Sequence, residues 1–507
     1  MKSEIKKGAI LGYVNMIANI LITFFYIPIM IKMLGQQEYG LYSLVSSVIA
    51  YLSVLDMGFG NAMVRFVSRS QAQKDKNSEN RINGLFLFLY VIIGFIALLI
   101  GTILMQNIKK IFGASLTIEE LNKAKVIMAI LLFTVASSFP LSVFDSYVMA
   151  CEKFTFLKVL NILKTLAIPL TMLPLLFLGY KSIAMVIINS LFTLLYHVGT
   201  LIYCKKKLKM KLSFSIKSFD KKLFKEISFY SVFIFLNIIV DNLFNNTDQV
   251  ILGSICGTTA VSIYAIGSRI SSMNVTFSTT ISGLFLPRVT KMIEEKNSDK
   301  ELSNLFIKVA RIQIYLMVLI LSGFIIYGKA FINLWVGNSY ADAYWIILLL
   351  IGPALIPLTQ NLGISIIQAK NKHQFRSVVY IIIAILNVII SIPLAKKYQG
   401  IGAAIGTAIA NVIGQIITMN IFYWKKINID IPKYWKNLII FIIPVGVLST
   451  LNIILIRNIS FNWIKLVVAA ILYLCAYFMI VFNYMNEEEK KYIRNIRQKF
   501  FYDRRKK

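Results

Sequence analysis

Two short series of polar residues sit inside long apolar runs of this chain, and their types could do chemistry there. The first is Asn15, Asn19, Thr23 and Tyr26; the second is Asn237, Asp241, Asn245 and Asp248, followed by Gln249. Both have spacings of four, four and three, which keep a stripe on one face of a helix. Carboxylates at membrane depth are costly, and their usual place is a bundle interior or an aqueous pathway where they bind protons, cations or substrate. The second stripe therefore reads as a cation-coupling or substrate-facing wall, with Asp241 near mid-span. An interhelical hydrogen-bond seam is the structural alternative, since seams also use Asn and Asp.

Basic residues lie at similar depth. Arg269 stands about ten residues into the eighth apolar segment, too deep to snorkel easily. It needs either an anionic ligand or an acidic partner such as Asp241 or Asp248. Arg65 follows Asn61 by four residues and shares its helix face. It can receive a phosphate from the cytoplasmic side or anchor its helix at the headgroups. Lys164 sits about two turns into the fifth segment, where it can hold a ligand or snorkel to the interface. Asp56 and Asp145 are expected in the bundle interior as counter-ions to Lys164 or Arg65. Arg288 and Arg311 read as interfacial anchors. The two histidines, His197 and His373, are far apart and build no motif, and the four cysteines show no disulfide or metal spacing.

The elements that carry these residues are membrane helices. The chain has 507 residues, 57% of them hydrophobic, and a mean hydropathy of +0.71. Fourteen spans are expected, at 8–31, 39–67, 83–106, 123–150, 157–178, 182–203, 227–253, 260–287, 304–328, 342–368, 378–394, 401–424, 437–456 and 464–484. Each approaches the roughly 20 residues that cross a bilayer core. The basic start runs into an apolar stretch with no small-residue cleavage site, which reads as a retained first helix.

A net charge of +31 would indicate nucleic acid for a soluble protein. Here it is a topology signal, because Lys and Arg cluster in alternate loops. The segment 204–226 carries nine and 485–507 another nine, whereas most loops of the opposite side carry one or two and the most basic, 107–125, carries four. Both termini are expected in the cytoplasm. No external loop is long enough for a catalytic domain, and no phosphate-cradling Gly loop is present, so neither an enzyme nor an ATP-driven engine is expected, and no cofactor or metal.

The two polar stripes belong to an internal repeat. A shift of 222 residues lays 33–48 over 255–270, so that Gly35 meets Gly257, Tyr42 meets Tyr264 and Ser46 meets Ser268. Weaker matches follow in order: 152–156 with 371–375, and 179–190 with 400–411. Six spans on each side of the basic segment make parallel halves, as in parallel-repeat transporters. The expected organisation is all-α: an N-terminal six-helix lobe (1–203), a basic cytoplasmic linker (204–226), a C-terminal six-helix lobe (227–424), two additional helices (425–484) and a basic cytoplasmic tail (485–507). Within the repeat, Asn19, Tyr26 and Ser47 give way to Asp241, Asp248 and Arg269, so the charge gathers on the second copy.

The stretches GYVNMIANILITFFYIPIMIKMLGQQEYGLYSLV (12–45), LDMGFGNAMVRFVSR (55–69), NNTDQVILG (245–253), YAIGSRI (264–270) and GIGAAIGTAIA (400–410) occur in an order that covers almost the whole chain. In them the sequence resembles the polysaccharide-transporter branch of the multidrug/oligosaccharidyl-lipid/polysaccharide exporter superfamily, the O-antigen and capsule-type flippases. The resemblance implies two six-helix lobes in a V around a cavity, and translocation of undecaprenyl-diphosphate-linked oligosaccharide to the outer leaflet of a bacterial plasma membrane. It implies Arg65 and Arg269 as cavity cations; the polar pattern itself adds Lys164, Asn19, Asn61, Asn237 and Asn245 as residues expected along the substrate path. Asp241 and Asp248 would couple transport to H⁺ or Na⁺, and a polysaccharide polymerase machinery would be a partner. Not every cavity Arg of lipid II flippases has an equivalent here. A multidrug/cation antiporter of the same superfamily and a membrane enzyme of polysaccharide assembly are the alternatives; the first predicts a more acidic cavity, the second a large external loop or intramembrane His chemistry.

Overall fold

The structure, a computed structural model, describes residues 2–213, 221–295, 298–370, 372–487 and 489–490. Parts of the expected basic linker (214–220) and tail (491–507) lie outside the described residues, as do the side chains of Asn237 and His373. The described residues are helical throughout, with no strand. In chain order the helices are α1 (Lys2–Leu34), α2 (Gln36–Ala50), α3 (Phe59–Ala72), α4 (Lys76–Gln106), α5 (Ile108–Phe112), α6 (Ile118–Ala150), α7 (Phe154–Phe177), α8 (Ser182–Lys206), α9 (Lys221–Ile255), α10 (Thr258–Gly283), α11 (Leu286–Glu294), α12 (Asp299–Val336), α13 (Ala343–Thr359), α14 (Leu362–Ala369), α15 (His373–Asn411), α16 (Met419–Ile427), α17 (Ile431–Ile456) and α18 (Trp463–Tyr484).

Ten stretches among the described residues are long and apolar enough to cross a membrane, and α13 with α14, bent by 48°, forms an eleventh. One of the ten, Gln374–Ile427, contains two helices: Gln399 (φ 50°, ψ −131°) breaks α15 into two arms. Separating those arms and counting α9 and α10, the helices of the second polar stripe, is consistent with the fourteen expected helices. The expected second span is α2 and α3 in series, parted by a 3₁₀ turn at Tyr51–Asp56 and two left-handed residues, Met57 and Gly58.

Local chemistry sets the helix starts. Asp75 accepts from the Ser78 N–H at 2.9 Å to begin α4. Thr117 with Glu120, and Ser298 with Glu301, form reciprocal capping boxes for α6 and α12. The repeat is visible in the backbone. Gly35 (φ +83°) and Gly257 (φ +85°) hold the same left-handed turn between the first and second helices of each copy, a conformation that favours glycine.

The chain forms two compact units. The first comprises residues 1–268 with 380–407; the second comprises 269–379 with 408–507. The first unit therefore takes in α9, the start of α10 and most of both α15 arms, so compactness does not follow the repeat boundary. Its core is aromatic: Tyr90 is fully buried, meets the Phe59 ring edge-on at 6.4 Å and stacks on Phe139 at 6.3 Å. Glu79, 2% exposed, is satisfied there by Tyr147 (2.7 Å) and Gln71 (3.1 Å).

In the second unit α12 packs against α13, α17 and α18. Arg311, read from sequence as an interfacial anchor, is instead the hub of this packing. Its guanidinium donates to Glu489 through Nε (3.0 Å) and Nη2 (3.1 Å), to Asn437 (2.9 Å), to the Tyr315 hydroxyl (2.6 Å) and to the Tyr484 carbonyl (2.8 Å). The planar fork binds a carboxylate bidentately. It ties α12 to α17 and to the chain beyond α18.

Candidate functional site

The polar stripe of the second repeat divides into an exposed and a buried part. Asp241 and Asn245 are exposed, and the Asn245 amide donates to the Asp241 carbonyl at 2.7 Å. The first copy does the same: the Asn19 amide donates to the Asn15 carbonyl at 2.9 Å, with Asn19 half-buried. Thr165 of α7 donates to the Asn15 side chain at 3.3 Å, which joins this stripe to the fifth span.

Asp248, two turns further on, is 2% exposed. Its carboxylate accepts the Tyr264 hydroxyl, the Thr407 hydroxyl at 2.6 Å and the Asn387 amide at 3.3 Å. Ser391 donates to the Asn387 oxygen at 2.6 Å and contacts the Ala403 carbonyl at 3.2 Å; Thr407 lies 3.2 Å from the same Asn387 oxygen. A carboxylate, an amide, three hydroxyls and a carbonyl thus meet inside the first unit, from α9, α10 and the two arms of α15. Such a set of oxygen donors suits a hard cation or a proton. Sequence reasoning found Asp248 but missed Asn387, Ser391 and Thr407. The four-residue spacing of Asn387 and Ser391 in an otherwise apolar run was the available signal.

Arg65 stands on an exposed face of α3 with Asn61 and Arg69, one turn apart each. Its guanidinium lies 6.0 Å from the Phe66 ring centroid, and Arg69 pairs with Glu226 at 3.2 Å. The 3₁₀ break before α3 sets this face. Asp56 ends the break, accepts the Tyr90 hydroxyl at 2.6 Å and is also bonded by the backbone N–H groups of Gly58 and Gly60. It thus serves the start of α3. Arg269 is exposed on α10, one residue past the first unit. Lys164 is half-buried, 5.8 Å from the Tyr196 ring centroid.

The turns at one end of the first unit form a second polar assembly, which sequence reasoning did not find. Glu38 of α2 accepts Lys123 of α6 at 2.8 Å and the Ser182 hydroxyl of α8; Lys123 also pairs with Glu119 at 2.8 Å. Thr258 donates to Glu120 at 2.7 Å. Beside them opens a cleft of about 600 Å³ lined by Gln36, Gln37, Glu38, Glu119, Lys123 and Lys181. The backbones of α2 and α10 touch here: a Cβ on Gly40 would stand 1.9 Å from the Thr258 carbonyl oxygen. Tyr51 of the 3₁₀ turn and Thr247 of α9 bond at 2.6 Å. At Gly40 the two backbones close against each other beside this cleft.

The profile of the polysaccharide biosynthesis protein family matches residues 5–292, more than half of the chain and both copies of the stripe. The chain belongs to this family. Its long apolar helices make it a multi-pass membrane protein. An Escherichia coli (strain K12) protein described as an O-antigen transporter is 24% identical over 419 residues, 80% of this chain and 93% of that one. A Haloferax volcanii protein described as a low-salt glycan biosynthesis flippase is 19% identical over 207 residues, 41% of this chain but only 44% of its own length. Among solved structures, the lipid II flippase MurJ in an inward closed conformation superposes with a TM-score of 0.69 over 94% of this chain and 97% of that one, at 19% identity. That likeness concerns the fold.

Proposed function

We propose that the protein carries undecaprenyl-diphosphate-linked oligosaccharide from the cytoplasmic to the outer leaflet of a bacterial cell membrane, with both termini in the cytoplasm. The observation that carries this reading is the family match across both polar stripes. The diphosphate is the part of the substrate that needs cations, and Arg65, Arg269 and Lys164 supply them. Asn19, Asn61, Asn237 and Asn245 offer amides to sugar hydroxyls, while the prenyl tail stays in lipid. The six-helix lobes expected from the repeat, 1–203 and 227–424, alternate between inward and outward access. The seam at Gly40 and the Glu38–Lys123 cluster support one closed end of such a cycle.

Asp241 and Asp248 are the proposed coupling carboxylates, for H⁺ or Na⁺. Asp248 is the better built of the two, because Thr407, Asn387 and Ser391 gather oxygen donors around it. Membrane potential adds about 2.3 kcal/mol per charge per 100 mV. A polysaccharide polymerase on the outer side consumes the product. Removal of the gene from its cell tests the reading. Lipid-linked oligosaccharide should accumulate on the cytoplasmic leaflet while surface glycan disappears; normal surface glycan in the deleted strain rejects it.

A further inference from the structure

The start of the basic linker is not a loose tether. Where α8 ends, residues 207–213 form a strap that lies across the start of α4, inside the first unit. The Met210 N–H donates to the Cys204 carbonyl and the Ser213 N–H to the Asn80 carbonyl, each at 3.0 Å. The fully buried Asn83 donates its amide to the Lys211 carbonyl at 3.3 Å. A Cβ on Gly84 would stand 2.1 Å from the Ser213 carbonyl oxygen, so the two backbones touch. Side chains along the strap alternate. Leu208, Met210 and Leu212 are half-buried, and the first two pack on the aromatic core of the unit, whereas Lys207, Lys209 and Lys211 are exposed. Lys209 holds φ +51°, where glycine would stand with less strain; what lysine adds there is charge.

Lys205 and Lys206 at the end of α8, and Arg81 beside Asn80, are exposed at the same end. Three acidic side chains of this end are engaged elsewhere: Glu226 pairs with Arg69 and Glu79 with Lys76, each at 3.2 Å, and Asp75 caps α4. Two of the cations continue exposed apolar stripes. On α8, Leu195, Val198 and Ile202 are exposed, and Lys206 follows on the same face; on α4, Phe95, Phe88 and Arg81 follow one another at heptad spacing. The foot of a lipid-facing stripe is where headgroups lie. A topology signal needs the lysines but no strap pinned to α4. We propose that the strap is a binding site for acidic phospholipid of the cytoplasmic leaflet, in which Lys207, Lys209 and Lys211, with Lys206 and Arg81, hold the phosphate headgroup. Occupied, it ties the end of α8 to the start of α4. The inference needs the proposed cytoplasmic placement of this end, not the identity of the transported molecule.

Native mass spectrometry of the full chain in detergent, with dioleoyl phosphatidylglycerol and dioleoyl phosphatidylcholine in equal amounts, reads which lipid is retained. The native protein should hold the phosphatidylglycerol about fivefold or more tightly, the effect expected of one lysine near an anionic surface. Raising ammonium acetate from about 0.1 M to about 1 M should shrink this preference, as screening shortens from about 10 Å to about 3 Å. Lys207→Gln, Lys209→Gln and Lys211→Gln together should remove most of it, while the three corresponding Arg substitutions keep it. These side chains are exposed, so both variants should unfold at the native midpoint when no lipid is added. A triple Gln variant with the native preference overturns the proposal.

A second pair of variants separates a built site from diffuse charge. Gly84→Ala keeps every lysine but drives a Cβ into the Ser213 carbonyl, which lifts the strap from α4. Asn83→Ala adds no bulk and removes the hydrogen bond to the Lys211 carbonyl. In both, the preference for phosphatidylglycerol should fall with net charge unchanged, and the lipid should raise the thermal unfolding midpoint less than it does for native protein. The native preference in both variants overturns the strap as the site. Soluble polyglutamate that binds as tightly as phosphatidylglycerol and displaces it assigns the lysines to an acidic protein segment, and overturns the proposal too. None of these results depends on whether transport is found.

Discussion

Asp248 offers the sharpest separation between a structural and a coupling role. It is 2% exposed and accepts three donors, from Tyr264, Thr407 and Asn387. Replacing it with Leu strands the Tyr264 hydroxyl and the Asn387 amide, whereas Thr407 still has the Asn387 oxygen at 3.2 Å. A buried donor without an acceptor costs about 1–3 kcal/mol, so the loss sums to at least about 2 kcal/mol, a large part of a typical folding free energy. Asp248→Asn keeps the side chain's shape but turns one acceptor oxygen into an NH2 donor; with its remaining oxygen toward Tyr264 and Thr407 it leaves only the Asn387 amide without its acceptor, so its cost should stay near the figure for a single donor. Thermal unfolding of the purified protein in detergent should rank native, then Asn, then Leu, with a clear gap before Leu. In proteoliposomes the Asn variant should lose the ion dependence of transport while remaining folded. A Leu variant that unfolds with the native midpoint would refute the donor assignment. An Asn variant with native ion dependence would refute the coupling role.

Other expectations follow from the same geometry. Gly40→Ala places a Cβ 1.9 Å from the Thr258 carbonyl, an overpacking worth about 1–3 kcal/mol. It should part α2 from α10, so that Thr258→Cys, at a position only 4% exposed, reacts faster with an impermeant maleimide in a cysteine-free background, and unchanged labelling contradicts this. Arg311→Leu leaves the Glu489 carboxylate, whose side chain is 9% exposed, without its cation; the cost should be about 3–5 kcal/mol. Unfolding midpoints should be partly restored by adding Glu489→Leu, and equal midpoints for single and double variants contradict the pairing. Arg65→Ala removes a candidate phosphate contact worth about 1.5–3 kcal/mol, so farnesyl diphosphate affinity should fall tenfold or more, with Arg65→Lys intermediate; unchanged affinity removes Arg65 from the site.

What the sequence shows of this fold is periodic and local. The 222-residue shift aligns Gly35 with Gly257, and the two turns have φ values of +83° and +85°. A left-handed turn leaves a glycine in the sequence, so it can be read there. Asp75, Thr117 and Ser298 are legible as caps for the same reason. The partners of Asp248 are not, because they come back to it across 139 and 159 residues through the α15 hairpin. No local pattern encodes that return. His197 and Asp145 meet only because α8 packs on α6, and Arg311 was misread because the chain past α18 folds back onto α12. Glu38 follows Gly35 as an ordinary turn residue in sequence; only the packing of α2, α6 and α8 makes it the centre of a charged cluster.

The central claim is that this chain itself moves a prenyl-diphosphate-linked glycan between leaflets. It is tested most directly with purified protein in proteoliposomes carrying undecaprenyl-diphosphate-linked oligosaccharide labelled on the sugar. Accessibility of the label to a membrane-impermeant reagent measures leaflet exchange. The account predicts rapid exchange that depends on the protein, slows in Arg65→Ala and Arg269→Ala, and loses its ion dependence in Asp248→Asn. Exchange no faster than in protein-free liposomes, under an imposed ion gradient and membrane potential, would contradict it.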